Sequence, residues 1–226
     1  FDGFGAGFAY APVEVAAIKK LQASCDCTYF MFFLAVYTVL LSKLSGQDDI
    51  ITGVPVAGRP HDNLGSTIGM FVNTLPVRNR PDGKKSFVSF LKEVKEHTLS
   101  AFDNQEYPFE ELVEKIGVRR DTGRNPVFDA SFNWMNFSRT KEKAEIIDSN
   151  DYMHQPVQVK FDISLTGTET PGNFLMKLEY CSGLFKPGTI NRFIDQFLEI
   201  TRQVTADPSI GISQIRLMTQ EEQTQF

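Results

Sequence analysis

The chain has 226 residues, of which 42% are hydrophobic and 23% charged, with a formal net charge of -5. That balance suits an ordinary globular domain, long enough to bury a core without staples, and argues against disorder or a fibrous repeat. An acidic chain also lacks the basic field that a dedicated nucleic-acid binder uses to neutralise phosphates. Of the three cysteines, Cys25 and Cys27 stand too close for a disulfide framework, so reduced thiols in a cytoplasm are expected, with no metal site.

The glycine-rich opening, residues 1–7, follows no strand and lacks the spacing of a dinucleotide fingerprint, so a mobile lead-in is expected. Pro12 stands at a first helical position, with Glu14 in the first turn and Val15, Ile18 and Leu21 at helical spacing, which predicts a helix ending near Ser24. Thr28 is placed to cap a second helix running to Leu44, apolar nearly all round, with Gly46 to end it. Its apolar run, residues 30–41, falls well short of the roughly 20 residues that a membrane crossing needs, so no membrane partner is expected.

The β-branched stretch 50–56 predicts a buried strand, and 71–77 a second one that Pro76 confines to an edge or a strand end. Ser86 opens an amphipathic helix whose inward face reads Phe87, Phe90, Leu91, Val94, Leu99 and Phe102. His97, in the same segment, is expected to be solvated. Pro108 and Gly117 bracket a short helix carrying Phe109, Leu112, Val113 and Ile116. Residues 127–137 predict a long strand with Phe128, Ala130, Phe132 and Trp134 on one face, and 138–155 a loop. Strands at 157–165 and 174–180, separated by a turn over 167–173, predict a hairpin. Pro187 starts a final helix with Ile190, Phe193, Ile194, Phe197, Ile200 and Val204 inward, before a polar tail. The intermixed elements, with no repeat, predict one α/β domain.

Chemistry-bearing residues are few. His61, His97 and His154 are isolated, there is no Gly-x-Ser-x-Gly elbow or His-Glu-x-x-His motif, and no catalytic residue is assigned. The carboxylate pairs Asp48-Asp49, Glu110-Glu111 and Glu221-Glu222 suit turns and helix ends. Asn136-Phe137-Ser138 matches a glycosylation acceptor without a secretory context and is read as coincidental.

Three segments stand apart from generic core or loop. Ile68-Gly69-Met70-Phe71-Val72-Asn73-Thr74-Leu75-Pro76-Val77-Arg78, Asn104-Gln105-Glu106-Tyr107-Pro108-Phe109-Glu110 and Arg120-Asp121-Thr122-Gly123-Arg124-Asn125-Pro126-Val127-Phe128-Asp129 resemble, in order and spacing, three motifs of the condensation domains of nonribosomal peptide synthetases. Glu106 departs from the usual Asp, and Gly123 from the usual Ser. The resemblance runs from the Thr28 to Arg59 stretch to the closing helix and covers essentially the whole chain.

The resemblance implies a chloramphenicol-acetyltransferase-like lobe, a mixed β-sheet flanked by helices, with residues 1–216 as the C-terminal lobe of a condensation domain and 217–226 as the start of a linker toward an adenylation domain. Complete members join aminoacyl or peptidyl thioesters held on the phosphopantetheine arms of carrier proteins, and their His-His-x-x-x-Asp-Gly motif belongs to the N-terminal lobe; this chain contains no such motif. The implied partners are that N-terminal lobe, upstream and downstream peptidyl carrier proteins and a following adenylation domain, with no cofactor bound directly. The lobe alone is expected to be inactive. Met70, Phe71, Asn73 and Thr74 are assigned to the substrate tunnel, with Asn73 either contacting a pantetheine amide or substrate, or bonding backbone. Arg120 and Arg124 are candidates for phosphate contact, with Asp121 as an alternative internal partner. Arg78, Gln105, Tyr107, Pro108, Phe109, Asp121, Asn125, Pro126 and Phe128 are read as structural. Alternatives are a noncatalytic module binding carriers or an adenylation domain, or a lobe of an epimerisation or cyclisation relative. A face between lobes is expected to leave apolar surface uncovered and to favour weak self-association.

Overall fold

The computed structural model describes residues 1–59, 67–118, 124–135 and 154–218. One seven-stranded mixed sheet, in the order β3-β2-β4-β6-β7-β1-β5, organises the chain. Its strands are β1 (Asp2–Ala9), β2 (Ile50–Val56), β3 (Asn73–Asn79), β4 (Ala130–Met135), β5 (Gln155–Gln158), β6 (Ile163–Thr170) and β7 (Asn173–Cys181). The central β2-β4-β6 run is parallel and the remaining pairs are antiparallel. The helices are α1 (Pro12–Cys25), α2 (Tyr29–Ser45), α3 (Phe87–Asp103), α4 (Phe109–Ile116) and α5 (Pro187–Ala206).

Helix α2 is the centre of the core. Thr28 Oγ1 accepts from the Met31 amide at 3.2 Å, and Gly46 ends the helix at φ 69°, a left-handed position that glycine takes without steric cost. Every residue from Met31 to Leu40 is buried. Phe33 stacks on Trp134 of β4 with centroids 5.1 Å apart and meets Phe174 of β7 and Phe197 of α5. Helices α3 and α5 flank α2, and α1 packs on α5, where Arg202 Nε donates to Glu14 Oε1 at 2.6 Å.

The expected mobile lead-in is instead strand β1, paired with β7 on one side and β5 on the other. Its period of two is real but half-hidden. Phe4, Ala6 and Phe8 alternate with glycines, and a Cβ on Gly3 or Gly5 would overlap the Val159 and Lys177 side chains that lie across them. The predicted strand at 157–165 is two strands: β5 joins β1, and β6 continues the parallel run beside β4. The hairpin β6-β7 forms as expected, but β6 extends to Thr170, so the turn contracts to Pro171 and Gly172, the latter at φ 92°. Strand β4 is shorter than predicted and leaves Phe128 before its start. In α3 the inward position belongs to Thr98, while Leu99 is 46% exposed. Five positions beyond Val94 the helix has turned about 140° past the buried stripe.

Candidate functional site

Family-like segments meet at the β3 edge of the sheet. Asn73 opens β3 opposite Val56. Its Nδ2 donates to the carbonyls of Gln105 and Tyr107, both at 2.8 Å, and its Oδ1 accepts from the amides of Thr74 at 2.9 Å and Phe109 at 3.3 Å. A side-chain amide has two donor hydrogens and two acceptor lone pairs, so all its positions are engaged by backbone. Thr74 is half-buried beside it. The bonds explain why a polar residue opens β3: it satisfies the turn leading into α4, where no sheet or helix ladder reaches.

Beyond that turn, Phe109 meets Phe128 with centroids 5.6 Å apart, and Phe128 meets Phe161 at 5.5 Å. The Phe128 ring lies over Gly53 of β2, where any Cβ would overlap it. Asn125 Oδ1 accepts from the amides of Val127 at 3.2 Å and Phe128 at 3.4 Å, turning the chain so that this ring can fold back over the sheet. The second and third segments are thereby joined through one aromatic row.

Residues 67–72 form the most exposed apolar feature of the described chain. Ile68, Met70 and Val72 are 100%, 92% and 64% exposed, whereas Phe71 between them is half-buried. The Arg59 guanidinium lies 4.4 Å from the Phe71 ring centre, its Nη1 donates to the Thr67 carbonyl at 2.9 Å and its Nη2 to the Gly69 carbonyl at 3.3 Å. The Phe71 carbonyl packs against Gly58, whose φ of 61° and lack of Cβ permit that approach. In the sequence no role is assigned to Gly58 or Arg59, so this support was missed; a glycine followed by arginine ahead of the first family-like segment is the signal available.

Arg78 forms a fork with Asp49, Nε to Oδ1 at 2.8 Å and Nη2 to Oδ2 at 2.5 Å, and Arg80 adds a bond to Oδ2 at 3.2 Å. The bond from Arg78 is the main cause holding the Asp49 carboxyl down at about 2. At the same end of the sheet a cavity of about 420 Å3 opens among Asp49, Ile50, Phe128, Asp129, Asp162 and Phe185. Arg124 stands over it, 3.7 Å from Asp129 and 3.9 Å from Asp162. Burial raises the Asp162 carboxyl above the ordinary range, Asp129 adds to the rise, and Arg124 opposes it. Arg120, Asp121, His61 and Asn136-Phe137-Ser138 lie outside the described residues. On the sheet face away from α2, Ser131 and Ser164 hydrogen-bond at 2.5 Å, and Lys177 pairs with Glu179 at 2.8 Å.

The described histidines serve structure. His97 is not merely solvated: its Nδ1 bonds Asn79 Oδ1 at 2.9 Å, tying α3 to β3. His154 links Asn191 of α5 through Nε2 at 3.0 Å and the Tyr180 hydroxyl through Nδ1 at 2.8 Å. Among the described residues no group of three or more His, Cys, Asp or Glu side chains could hold a metal ion. The arrangement offers an anchored apolar loop and a sheet-edge wall, which can position a partner or substrate.

Comparison with known proteins gives one consistent family. The sequence model described as "Condensation domain" matches residues 6–226. The chain is 39% identical over 228 residues to gramicidin S synthase 2 of Brevibacillus brevis, covering 100% of this chain and 5% of that protein. It is 43% identical over 210 residues to tyrocidine synthase 2 of Brevibacillus parabrevis, covering 92% and 6%. Among solved structures, a four-domain nonribosomal peptide synthetase bound to AMP and glycine superposes with a TM-score of 0.86 at 22% identity, over 98% of this chain and 18% of that one. The first condensation domain of the CDA synthetase gives 0.76 at 18% identity, over 97% and 49%. The chain therefore spans about half of that condensation domain and a small fraction of the full synthetases.

Two outcomes follow from the geometry. Asn73→Ala strips partners from two carbonyls and two backbone amides and is expected to cost about 2 to 4 kcal/mol in urea denaturation; an unchanged midpoint would mean the side chain is not a structural tie. The depressed Asp49 carboxyl binds fewer protons folded than unfolded, so its contribution is complete above about pH 4 and is lost as pH falls toward 2. The stability gap between the wild type and Asp49→Asn is expected to be open at neutral pH and to close across that window, read from urea midpoints along a pH series.

Proposed function

Because the chain belongs to the condensation-domain family of the nonribosomal peptide synthetases, with its chloramphenicol-acetyltransferase-like fold, we propose that it is the C-terminal lobe of a domain that forms peptide bonds between carrier-bound aminoacyl or peptidyl thioesters. Residues 1–216 form the lobe and 217–226 open the link toward an adenylation domain. At that boundary Gln203 Nε2 donates to the Arg216 carbonyl at 2.9 Å and Gln203 Oε1 accepts from the Arg216 amide at 3.0 Å, strapping the last residue of the lobe to α5; residues 219–226 lie outside the described chain. A cytoplasmic setting suits the free thiols of Cys25, Cys27 and Cys181.

The single observation that carries this reading is the loop 67–72, which holds Ile68, Met70 and Val72, at the start of the first family-like segment, in solvent. A contiguous exposed apolar group marks an interaction site. Its occupant is the other half of the same domain, since the chain spans only 49% of a solved condensation domain while matching it over 97% of its own length. Within the assembled domain Met70, Phe71 and Thr74 line the wall of the substrate tunnel, and Asn73 positions that wall rather than touching substrate. Arg124, 57% exposed between two carboxylates, is the described candidate for the phosphate of a pantetheine arm. The arm arrives as part of a carrier protein, so this lobe contributes proximity and orientation to the bond-forming step.

The test is peptide-bond formation between two loaded carrier proteins, with this chain alone and then with the matching preceding half. Product only with both halves is the expected result. Product from this chain alone would reveal a catalytic centre within it, and association of the halves without product would favour a noncatalytic interaction module.

A further inference from the structure

The exposed loop 67–72 is held by Gly58 and Arg59, which lie ahead of the three motif segments singled out in the sequence. Arg59 uses its planar guanidinium in two ways at once: its face lies 4.4 Å from the centre of the Phe71 ring, and its edge donates to the carbonyls of Thr67 and Gly69 at 2.9 and 3.3 Å. A lysine ammonium has no such plane and fork, so the pair of contacts is specific to arginine. The left-handed Gly58 beside it removes the Cβ that would block the Phe71 carbonyl. Ring and carbonyls are drawn inward, which leaves the alternate side chains, Ile68, Met70 and Val72, pointing into solvent.

We propose that Arg59 is the positioning residue that presents Ile68, Met70 and Val72 to the other half of the domain. The inference rests on the reading that this loop docks there. A loop ordered only on contact would lose conformational entropy at that moment, whereas one already held by Arg59 has lost it on folding, so docking is favoured by preorganisation.

The test uses the full-length protein that contains this chain and three variants, Arg59→Ala, Arg59→Lys and Ile68→Asp, each read by hydrogen exchange at the amides of residues 67–72 and by condensation turnover. Arg59→Ala is expected to accelerate exchange in the loop and lower turnover about tenfold, with exchange in α2 unchanged, and Arg59→Lys to fall between it and the wild type. Ile68→Asp is expected to lower turnover at least as much. Should Ile68→Asp impair turnover while Arg59→Ala leaves loop exchange and turnover intact, the loop docks and Arg59 does not position it. Should Ile68→Asp itself leave turnover unchanged, the docking reading falls and this inference with it. A loss of turnover in Arg59→Ala with undisturbed loop exchange would also overturn the proposal, because the arginine would then act by some other route. If Arg59→Ala does not fold, Arg59→Lys decides by the same two readings.

Discussion

A helix that is apolar on every side has to be covered on every side, and α2 imposes that requirement on the rest of the chain. Ten consecutive buried residues leave no face for solvent, so the sheet closes one side and α3 and α5 close the others. The aromatic cluster around Phe33 fixes the distances between these layers, because Trp134, Phe174 and Phe197 come from β4, β7 and α5. Along Met31 to Leu40 of α2 the apolar surface is covered. At residues 67–72 it is not, and the exposed apolar side chains there sit on a loop that the lobe itself holds in place.

The contrast between these places carries the functional reading. A loop with apolar tips is costly in water unless it meets a partner, and its supports are polar and specific: Arg59 behind the loop and Asn73 at the start of β3. Asn73 commits its whole hydrogen-bonding capacity to backbone, most of it in the turn before α4, and Phe109 at the head of α4 carries the constraint on to Phe128 over Gly53. The segments that look most functional in the sequence are therefore joined mainly through backbone and rings. They set the shape of an edge, and an edge of defined shape is what a two-lobed site needs from each lobe.

Much of this was legible in the sequence. The cap at Thr28, the stop at Gly46, the all-round apolar character of α2, the inward face of α5, strand β2 and the β6-β7 hairpin all follow from periodicity and turn chemistry. Strand β1 was not legible because its outward positions are glycines, which resemble a flexible segment until Val159 and Lys177 are seen lying across them. The division between β5 and β6 depends on pairing with β1 and β4, a long-range choice that local patterning does not encode. At the candidate site, the segments around Asn73, Tyr107 and Phe128 were visible as motifs, but the backbone partners of Asn73 were not, since they lie more than 30 residues away. Arg59 was missed for a different reason: a glycine followed by arginine marks the place, but the role comes from the plane of the side chain over one ring, which spacing does not encode.

Docking of the loop 67–72 against the other half of a condensation domain is the central claim, and calorimetric titration of this chain with the matching preceding half, repeated at several temperatures, tests it most directly. Burial of Ile68, Met70 and Val72 predicts a one-to-one complex with a negative heat-capacity change that shrinks when Met70 is replaced by aspartate. No association with the preceding half, or a heat-capacity change indifferent to Met70→Asp, would contradict it.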